Sequence, residues 1–245
     1  MDNLMEIMER MKANLKPMKT DYKCEICKDT GLIETTKKGG LYKTYRECEC
    51  VIKERNQINI DRANYQELFK NRSFDNYKTD TKARAGLKSK CIQFLEQDKA
   101  TAIALLGNVG CGKTHLAVSI LKEFANQNKT VNAINYTELT RKLSGNANDD
   151  VAYFSILGKY TSVPILLLDD MFKGKITEAN IKQMYDLINT RYENGRITII
   201  TSERVIDELM DIDEAVASRI VEMAKKEYIL NVTKMENYRV YGELD

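Results

Sequence analysis

The segment ALLGNVGCGKTHLA, residues 104–117, carries residue types at a spacing that could hold a nucleotide phosphate. It follows the pattern G-x-x-x-x-G-K-T, which is typical of phosphate-binding loops. The glycines let the backbone curl until its N–H groups face the β and γ phosphates, while Lys113 adds a positive charge and Thr114 offers a hydroxyl to Mg²⁺. A chance glycine turn is the alternative. The residues predicted to bind the nucleotide are Gly107, Asn108, Val109, Gly110, Cys111, Gly112, Lys113, Thr114 and His115.

A pair of acids lies further along the chain. The run VPILLLDDM, residues 163–171, places Asp169 and Asp170 directly after four aliphatic residues. Carboxylates at the end of a buried strand can hold a metal ion and activate water. We predict that Asp169 holds Mg²⁺ through water and that Asp170 polarises the attacking water. A helix cap is the alternative for such a pair.

A third polar group follows another apolar run. RITIITSE, residues 196–203, ends in Thr201, Ser202 and Glu203, where a sensor of the γ-phosphate would lie. We assign Ser202 to the catalytic set. Many strands end in Thr-Ser, so the pattern leaves open which of the three residues is the sensor.

Four cysteines form two close pairs, Cys24 with Cys27 and Cys48 with Cys50. The pattern C-x2-C, a turn-rich hairpin and then C-x-C suits a tetrahedral Zn²⁺ held by four thiolates. Free thiols or a disulfide are the alternatives, although disulfides are disfavoured inside cells. Of the other two cysteines, Cys91 fits a buried helix face, and Cys111 occupies a variable position of the phosphate loop.

These groups need a scaffold, and the apolar runs supply one. Buried strands are predicted at 101–107, 130–136, 163–171, 196–203 and 227–233, with helical spacing between them and Thr137 as a helix N-cap. Strands that alternate with helices around a phosphate loop predict an α/β fold with a doubly wound, parallel, five-stranded sheet.

Composition limits the class of protein. The chain has 245 residues, a formal net charge of +2 and 30% charged residues, without a polybasic segment that would indicate tight, sequence-independent nucleic-acid binding. It contains no apolar run long enough for a membrane span and no compact hydrophobic stretch at its start, so we expect a cytoplasmic protein that binds no membrane. Near the N-terminus an apolar stripe at helical spacing is either packing or a partner-binding helix; its members are Leu4, Ile7, Met8, Met11 and Leu15.

Taken with SFDNYKTD (73–80), TIITSE (198–203) and EAVASRIVEM (214–223), these motifs resemble the AAA+ ATPases of the DnaC/DnaI helicase-loader group over roughly residues 65–241. The cysteine-bearing front end resembles DnaI-type and phage-encoded loaders. The resemblance implies three parts: a helicase-docking zinc domain with an N-terminal helix at 1–60, a linker at 61–75 and an AAA+ domain at 76–245.

The resemblance also implies cofactors, partners and two further residues. ATP or ADP, Mg²⁺ and Zn²⁺ are the implied cofactors. Arg219 would be the arginine finger that reaches ATP on a neighbouring subunit, and Arg239 would be a sensor-2-like contact to the nucleotide. The implied partners are a hexameric DnaB-type replicative helicase, single-stranded DNA and further copies of the chain. Too few residues follow Arg219 for a full helical lid.

The chain departs from the pattern at two positions. Asp170 stands where most AAA+ proteins have Glu, from which we expect slow hydrolysis, and Glu203 stands where many relatives have a sensor Asn. Two other functions stay open. One is a transposition helper ATPase of the IstB kind, although such helpers usually lack the cysteines; the other is a non-catalytic adaptor that uses ATP only to stabilise its fold.

Overall fold

A computed structural model of the chain describes residues 21–35, 43–233 and 235–241. It divides into two compact units, residues 1–51 and residues 52–245. The apolar stripe between Leu4 and Leu15 and the glycine turn at 37–40 lie outside the described residues. Within the described part, no helix combines the length and the apolar character that crossing a membrane requires.

The first unit contains a short hairpin. Strands β1 (Leu32–Thr35) and β2 (Thr44–Glu47) pair antiparallel, with Leu32 opposite Glu47. A tight turn precedes β1, in which the Asp29 carboxylate accepts the backbone N–H of Cys24 at 3.0 Å. Helix α1 (Glu49–Arg62) begins at the end of this unit, and residues from 52 onward belong to the second unit.

The second unit alternates helices and strands, as predicted. After α1 its elements are α2 (Gln66–Asn71), α3 (Lys82–Glu96), β3 (Ala102–Leu106), α4 (Lys113–Asn126), β4 (Val131–Asn135), α5 (Tyr136–Ser144), α6 (Asp150–Thr161), β5 (Ile165–Asp169), α7 (Glu178–Glu193), β6 (Ile197–Ser202), α8 (Ile206–Ile212), α9 (Glu214–Met223), β7 (Ile229–Asn231) and α10 (Tyr238–Tyr241).

The five strands of this unit form one sheet in the order β4-β5-β6-β3-β7, and every pairing is parallel. β3 and β5 are buried at all five of their positions, because a parallel sheet with helices on both faces has no solvent-facing side. This explains their unbroken aliphatic sequences. The predicted doubly wound α/β fold is confirmed, and the carboxyl ends of β3, β5 and β6 bring the polar residues of the three motifs to one edge.

At the amino-terminal ends of the strands, a buried cation holds neighbouring segments together. Arg191 of α7 is 0% exposed. Its guanidinium donates to the carbonyls of Tyr160 at 2.6 Å, Val163 at 2.8 Å and Ile197 at 2.5 Å, and to the Thr198 hydroxyl at 2.9 Å. Burial lowers the pKa of this guanidinium to about 9. Carbonyl dipoles thus replace water around the charge and hold the amino ends of β5 and β6.

The structure corrects two boundaries. Residues 61–75, expected to be a linker, belong to the second unit, which begins at 52 rather than at 76. The resemblance implied a linker here, yet this stretch includes α2 and the buried side chains of Tyr65 and Phe74. The N-cap of α5 is Asn135, whose side chain accepts the N–H of Thr137, so Thr137 is not the cap.

After α9, the described part of the chain forms β7 and the single turn α10.

Candidate nucleotide site and cysteine cluster

The loop between β3 and α4 is shaped by glycines that could not carry a side chain. Gly110 and Gly112 have φ angles of 78° and 86°, which other residues rarely adopt. A Cβ atom on Gly110 would lie 1.8 Å from Oδ1 of Asn237, and one on Gly112 would lie 2.8 Å from the ring of Tyr77. The loop is therefore packed between the segment before the core and the segment after it.

Lys113 is held inside this loop. Its ammonium donates to the carbonyls of Gly107 at 2.7 Å and Asn108 at 2.5 Å. Burial lowers its pKa, because a cation out of water loses solvation. The ammonium therefore lies among the loop residues expected to surround a phosphate.

Asp169 lies at the end of β5 with hydroxyl donors on both carboxylate oxygens. Oδ1 accepts from Thr114 at 3.1 Å and from Thr201 at 2.5 Å, and Oδ2 accepts from Tyr65 at 2.9 Å. Burial raises the pKa of Asp169, while the Thr201 hydrogen bond opposes that rise. The structure thus brings the two residues predicted to hold Mg²⁺, Thr114 and Asp169, into direct contact.

Asp170 has a left-handed backbone, with φ of 56°. Its carboxylate pairs with Lys173 at 2.9 Å, and Lys173 also pairs with Glu203 at 3.0 Å. Asp and Asn tolerate this conformation better than most residues. Backbone geometry is therefore one reason why this position carries the shorter acid.

The three candidate sensor residues make different contacts, because adjacent residues of a strand face opposite sides of the sheet. The Thr201 hydroxyl donates to Asp169 and accepts the N–H of Asp170 at 2.8 Å. Ser202, the residue assigned from sequence, donates instead to the carbonyl of Met171 at 2.7 Å and supports the loop after β5. Glu203 reaches the acids only through Lys173. Of the three, Thr201 contacts the paired acids directly.

The side chains of several residues predicted to bind the nucleotide contact other parts of the chain or solvent. The Cys111 thiol is buried and donates to the carbonyl of Met235 at 3.3 Å, and burial raises its pKa. The ring nitrogen Nε2 of His115 lies 2.9 Å from the carbonyl of Ser73 and 3.0 Å from Oδ1 of Asn76. Val109 is exposed at the loop tip. Only the backbones of these three could follow the phosphates.

Arg219 on α9 is held against α7 of the same unit. Its guanidinium donates to Oδ1 of Asn189 at 2.7 Å and lies 4.9 Å from the ring centroid of Tyr185. It is half-buried, so it still has a solvent-facing side. Arg239 lies in α10, close in sequence to Tyr238, whose N–H donates to the carbonyl of Gly110.

The four paired cysteines converge in the first unit, with all four Sγ atoms within 4.8 Å of one another. Cys24 and Cys48 are 3.7 Å apart, and Cys27 and Cys50 are 3.5 Å apart. Four sulfurs placed tetrahedrally about 2.3 Å from zinc would be about 3.8 Å apart, whereas a disulfide needs about 2.05 Å. The cluster is therefore compatible with zinc and has no disulfide geometry.

The thiols of this cluster differ in acidity. The backbone N–H of Cys27 lowers the pKa of Cys24 to about 7, and the neighbouring Cys48 thiol raises that of Cys50 to about 12. A metal binds thiolates, so zinc binding would require the four thiols to lose their protons.

The sheet order, the phosphate loop and the paired acids define a nucleotide-binding protein with an AAA+-like fold. A family profile described as "IstB-like ATP binding protein" matches residues 47–241. The chain belongs to this family of AAA+ ATPases.

Its relatives include proteins of mobile elements and of replication. The chain is 32% identical over 217 residues to the uncharacterised protein YqaM of Bacillus subtilis, covering 82% of this chain and 68% of that one. It is 26% identical over 240 residues to XkdC of the phage-like element PBSX of the same organism, covering 89% of both. It is 24% identical over 170 residues to the replicative helicase loader DnaC of Escherichia coli, covering 62% of this chain and 69% of DnaC.

Solved structures agree on the fold. A crystal structure of DnaI superposes with a TM-score of 0.57 at 21% identity, covering 68% of this chain and 92% of that chain. The resemblance to the DnaC/DnaI group inferred from the motifs is confirmed.

Tyr65 was missed by sequence reasoning. It lies 104 residues before Asp169, outside every motif, and no pattern in the sequence connects the two.

Proposed function

We propose that the chain is an ATP-dependent loader that binds a hexameric DnaB-type replicative helicase and delivers it onto single-stranded DNA. The observation that carries this proposal is the presence, in one chain, of a four-cysteine cluster and of Lys113, Thr114 and Asp169 at the carboxyl edge of one parallel sheet. The relationship to DnaC, a replicative helicase loader, and to a phage-element protein supports it.

The proposed roles follow from the contacts. Lys113 and the N–H groups of the loop hold the phosphates, and Thr114 and Asp169 hold Mg²⁺, which neutralises phosphate charge when bound. Asp170 takes a proton from the attacking water. Thr201 joins the Asp169 carboxylate to the backbone of Asp170, since its hydroxyl donates to Oδ1 of Asp169 and accepts the N–H of Asp170.

Arg219 is proposed to act on ATP bound by a neighbouring copy, so hydrolysis depends on assembly. Its anchoring by Asn189 and Tyr185 holds the guanidinium on α9 and lowers the entropy lost when it engages a phosphate. In this proposal hydrolysis releases the loader from the helicase. Zn²⁺ on Cys24, Cys27, Cys48 and Cys50 folds the unit that grips the helicase.

The test is native mass spectrometry of the full chain mixed with the replicative helicase hexamer of its host, with and without ATP. We expect an ATP-dependent complex that contains several copies of the chain per hexamer, each with the mass of one zinc ion. Lys113→Ala is the matched control and should form no ATP-dependent complex. Absence of any complex in both conditions would reject the loader.

A transposition helper is the second candidate, favoured by the family match itself, because that family is named for an IstB-like ATP-binding protein. A helper of this kind should coat duplex DNA in the presence of ATP and without helicase. Electron microscopy of the protein with ATP and duplex DNA distinguishes the two functions: filaments indicate the helper, and bare DNA favours the loader.

A further inference from the structure

Tyr65 occupies the turn between α1 and α2, and its side chain is 5% exposed. Its phenol donates to Oδ2 of Asp169 at 2.9 Å. A phenol is a hydrogen-bond donor in its ordinary protonated form, and a carboxylate oxygen is an acceptor. The contact therefore pairs a neutral hydroxyl with the carboxylate expected to bind the metal.

The three hydroxyl donors on Asp169 are not equivalent. Thr114 is itself an expected metal ligand, and Thr201 also accepts the N–H of Asp170. Both contact Oδ1, whereas Oδ2 accepts from Tyr65. The two threonines already restrain Oδ1, and among the described residues Tyr65 is the donor that holds Oδ2. The phenol therefore restrains the second oxygen independently of the two threonines.

The backbone around Tyr65 is fixed by other contacts. Asn56 of α1 donates to the carbonyl of Lys129 at 2.8 Å and accepts the N–H of Val131 at 2.9 Å. Asn59 donates to the carbonyl of Val131 at 2.9 Å. These amides attach α1 to the start of β4, so the turn that carries Tyr65 stays in place without the phenol bond.

We propose that Tyr65 is a positioning residue for the metal-binding carboxylate: its phenol holds Oδ2 of Asp169, and with it the orientation in which this carboxylate would meet the Mg²⁺ of a bound Mg²⁺–ATP. The inference rests on the proposed ATP site. A buried tyrosine needs a hydrogen-bond acceptor for its hydroxyl, but folding alone does not require that acceptor to be a metal ligand.

Tyr65→Phe removes the hydroxyl alone, and Tyr136→Phe is the matched control. Tyr136 is also buried, and in the described part of the chain its hydroxyl finds no hydrogen-bond partner. ATP affinity is measured by titration calorimetry for the full-length wild type and both variants, in EDTA and across a range of Mg²⁺ concentrations, together with thermal unfolding.

For Tyr65→Phe we expect unchanged ATP affinity in EDTA and about a tenfold rise in the Mg²⁺ concentration that gives half of the maximal affinity gain, as for loss of one hydrogen bond to a charged group. Tyr136→Phe should match the wild type in both. Asp169→Asn should remove most of the Mg²⁺ effect, and adding Tyr65→Phe to it should change nothing further, because the two residues act through one contact.

Other outcomes overturn the proposal. A wild-type Mg²⁺ dependence in Tyr65→Phe would show that the phenol does not position the acid. A variant that does not fold, or that loses ATP affinity equally in EDTA, would assign Tyr65 a folding role. If the wild type binds no ATP under any condition, the proposed ATP site itself fails, and that result is separate from the others.

Discussion

The first unit, which carries the four-cysteine cluster, and the second unit, which carries the nucleotide site, are each stabilised internally in a different way. Among the described residues up to 51, the buried apolar side chains are those of Cys27 and Cys48, whereas β3 and β5 of the second unit are buried along their whole length. The described residues of the first unit therefore contribute little buried apolar surface to offset the entropy of ordering them. If Zn²⁺ binds the four cysteines as proposed, the metal would stabilise the first unit in place of a core, while the second unit is built on its own buried sheet.

Of the changes proposed here, removal of zinc should have the largest effect, because it should unfold the first unit while the second unit stays folded. A zinc-selective chelator should unfold the first unit, since structural zinc contributes on the order of 10 kcal/mol in comparable modules. Two-dimensional NMR should show collapse of the resonances of residues 21–51 while those of β3 to β7 persist. Cys91→Ala, which changes a buried cysteine outside the cluster, should retain one zinc per chain. Persistence of the first-unit resonances in chelator would contradict this prediction.

Arg219→Ala should separate chemistry from folding in the second unit. We expect ATP affinity within about twofold of wild type but turnover lower by about 1,000-fold, the lower end of the effect of arginine fingers. Steady-state phosphate release in the assembled state measures this, and Arg141→Ala, at an exposed position on α5, is the control. Turnover like that of the wild type would remove Arg219 from the catalytic set.

Lys113→Ala should weaken ATP binding by about 100-fold, because truncating one partner of a buried charge pair costs roughly 2–5 kcal/mol. Calorimetry measures the loss, and Lys122→Ala on the same helix should leave the affinity unchanged. The zinc content of Lys113→Ala should stay at one ion per chain, because the cysteine cluster and the nucleotide site lie in different units. An unaltered affinity in Lys113→Ala would refute the site assignment.

The smallest effect is expected at Lys173. Its ammonium is partly exposed and joins Asp170 to Glu203, and exposed ion pairs contribute about 0–1 kcal/mol. Lys173→Met should therefore change turnover by no more than about fivefold, with Lys175→Met as an exposed neighbour for comparison. A loss of 100-fold or more would mean that Lys173 takes a direct part in hydrolysis.

The parts of the fold that sequence could predict are those in which neighbouring residues carry the signal. β3, the phosphate loop and α4 follow one another directly in the chain, so one motif predicts all three. β5 and β6 are predicted as strands by their runs of aliphatic residues. Thr201 and Ser202 could not be ranked, since adjacent strand residues face opposite sides and the sequence does not say which side holds Asp169.

Long-range contacts were beyond the sequence. Tyr65 lies in a segment expected to be a linker, and the contacts of Asn56 and Asn59 with the start of β4 hold α1, which precedes it. Polar residues ahead of a presumed linker give no sign of such attachment. The same holds for Asn237 against Gly110, a contact made by chain segments 127 residues apart.

The left-handed backbone of Asp170 has a consequence in the terms of the genetic code. Aspartate and glutamate codons differ only at the third base, so the glutamate of most AAA+ proteins is a single nucleotide away from this gene. The obstacle to that exchange lies in the protein: at φ of 56° a longer acid would have to adopt a backbone conformation that it populates less readily. A substitution that is minimal in DNA is therefore not conservative at this position of the fold.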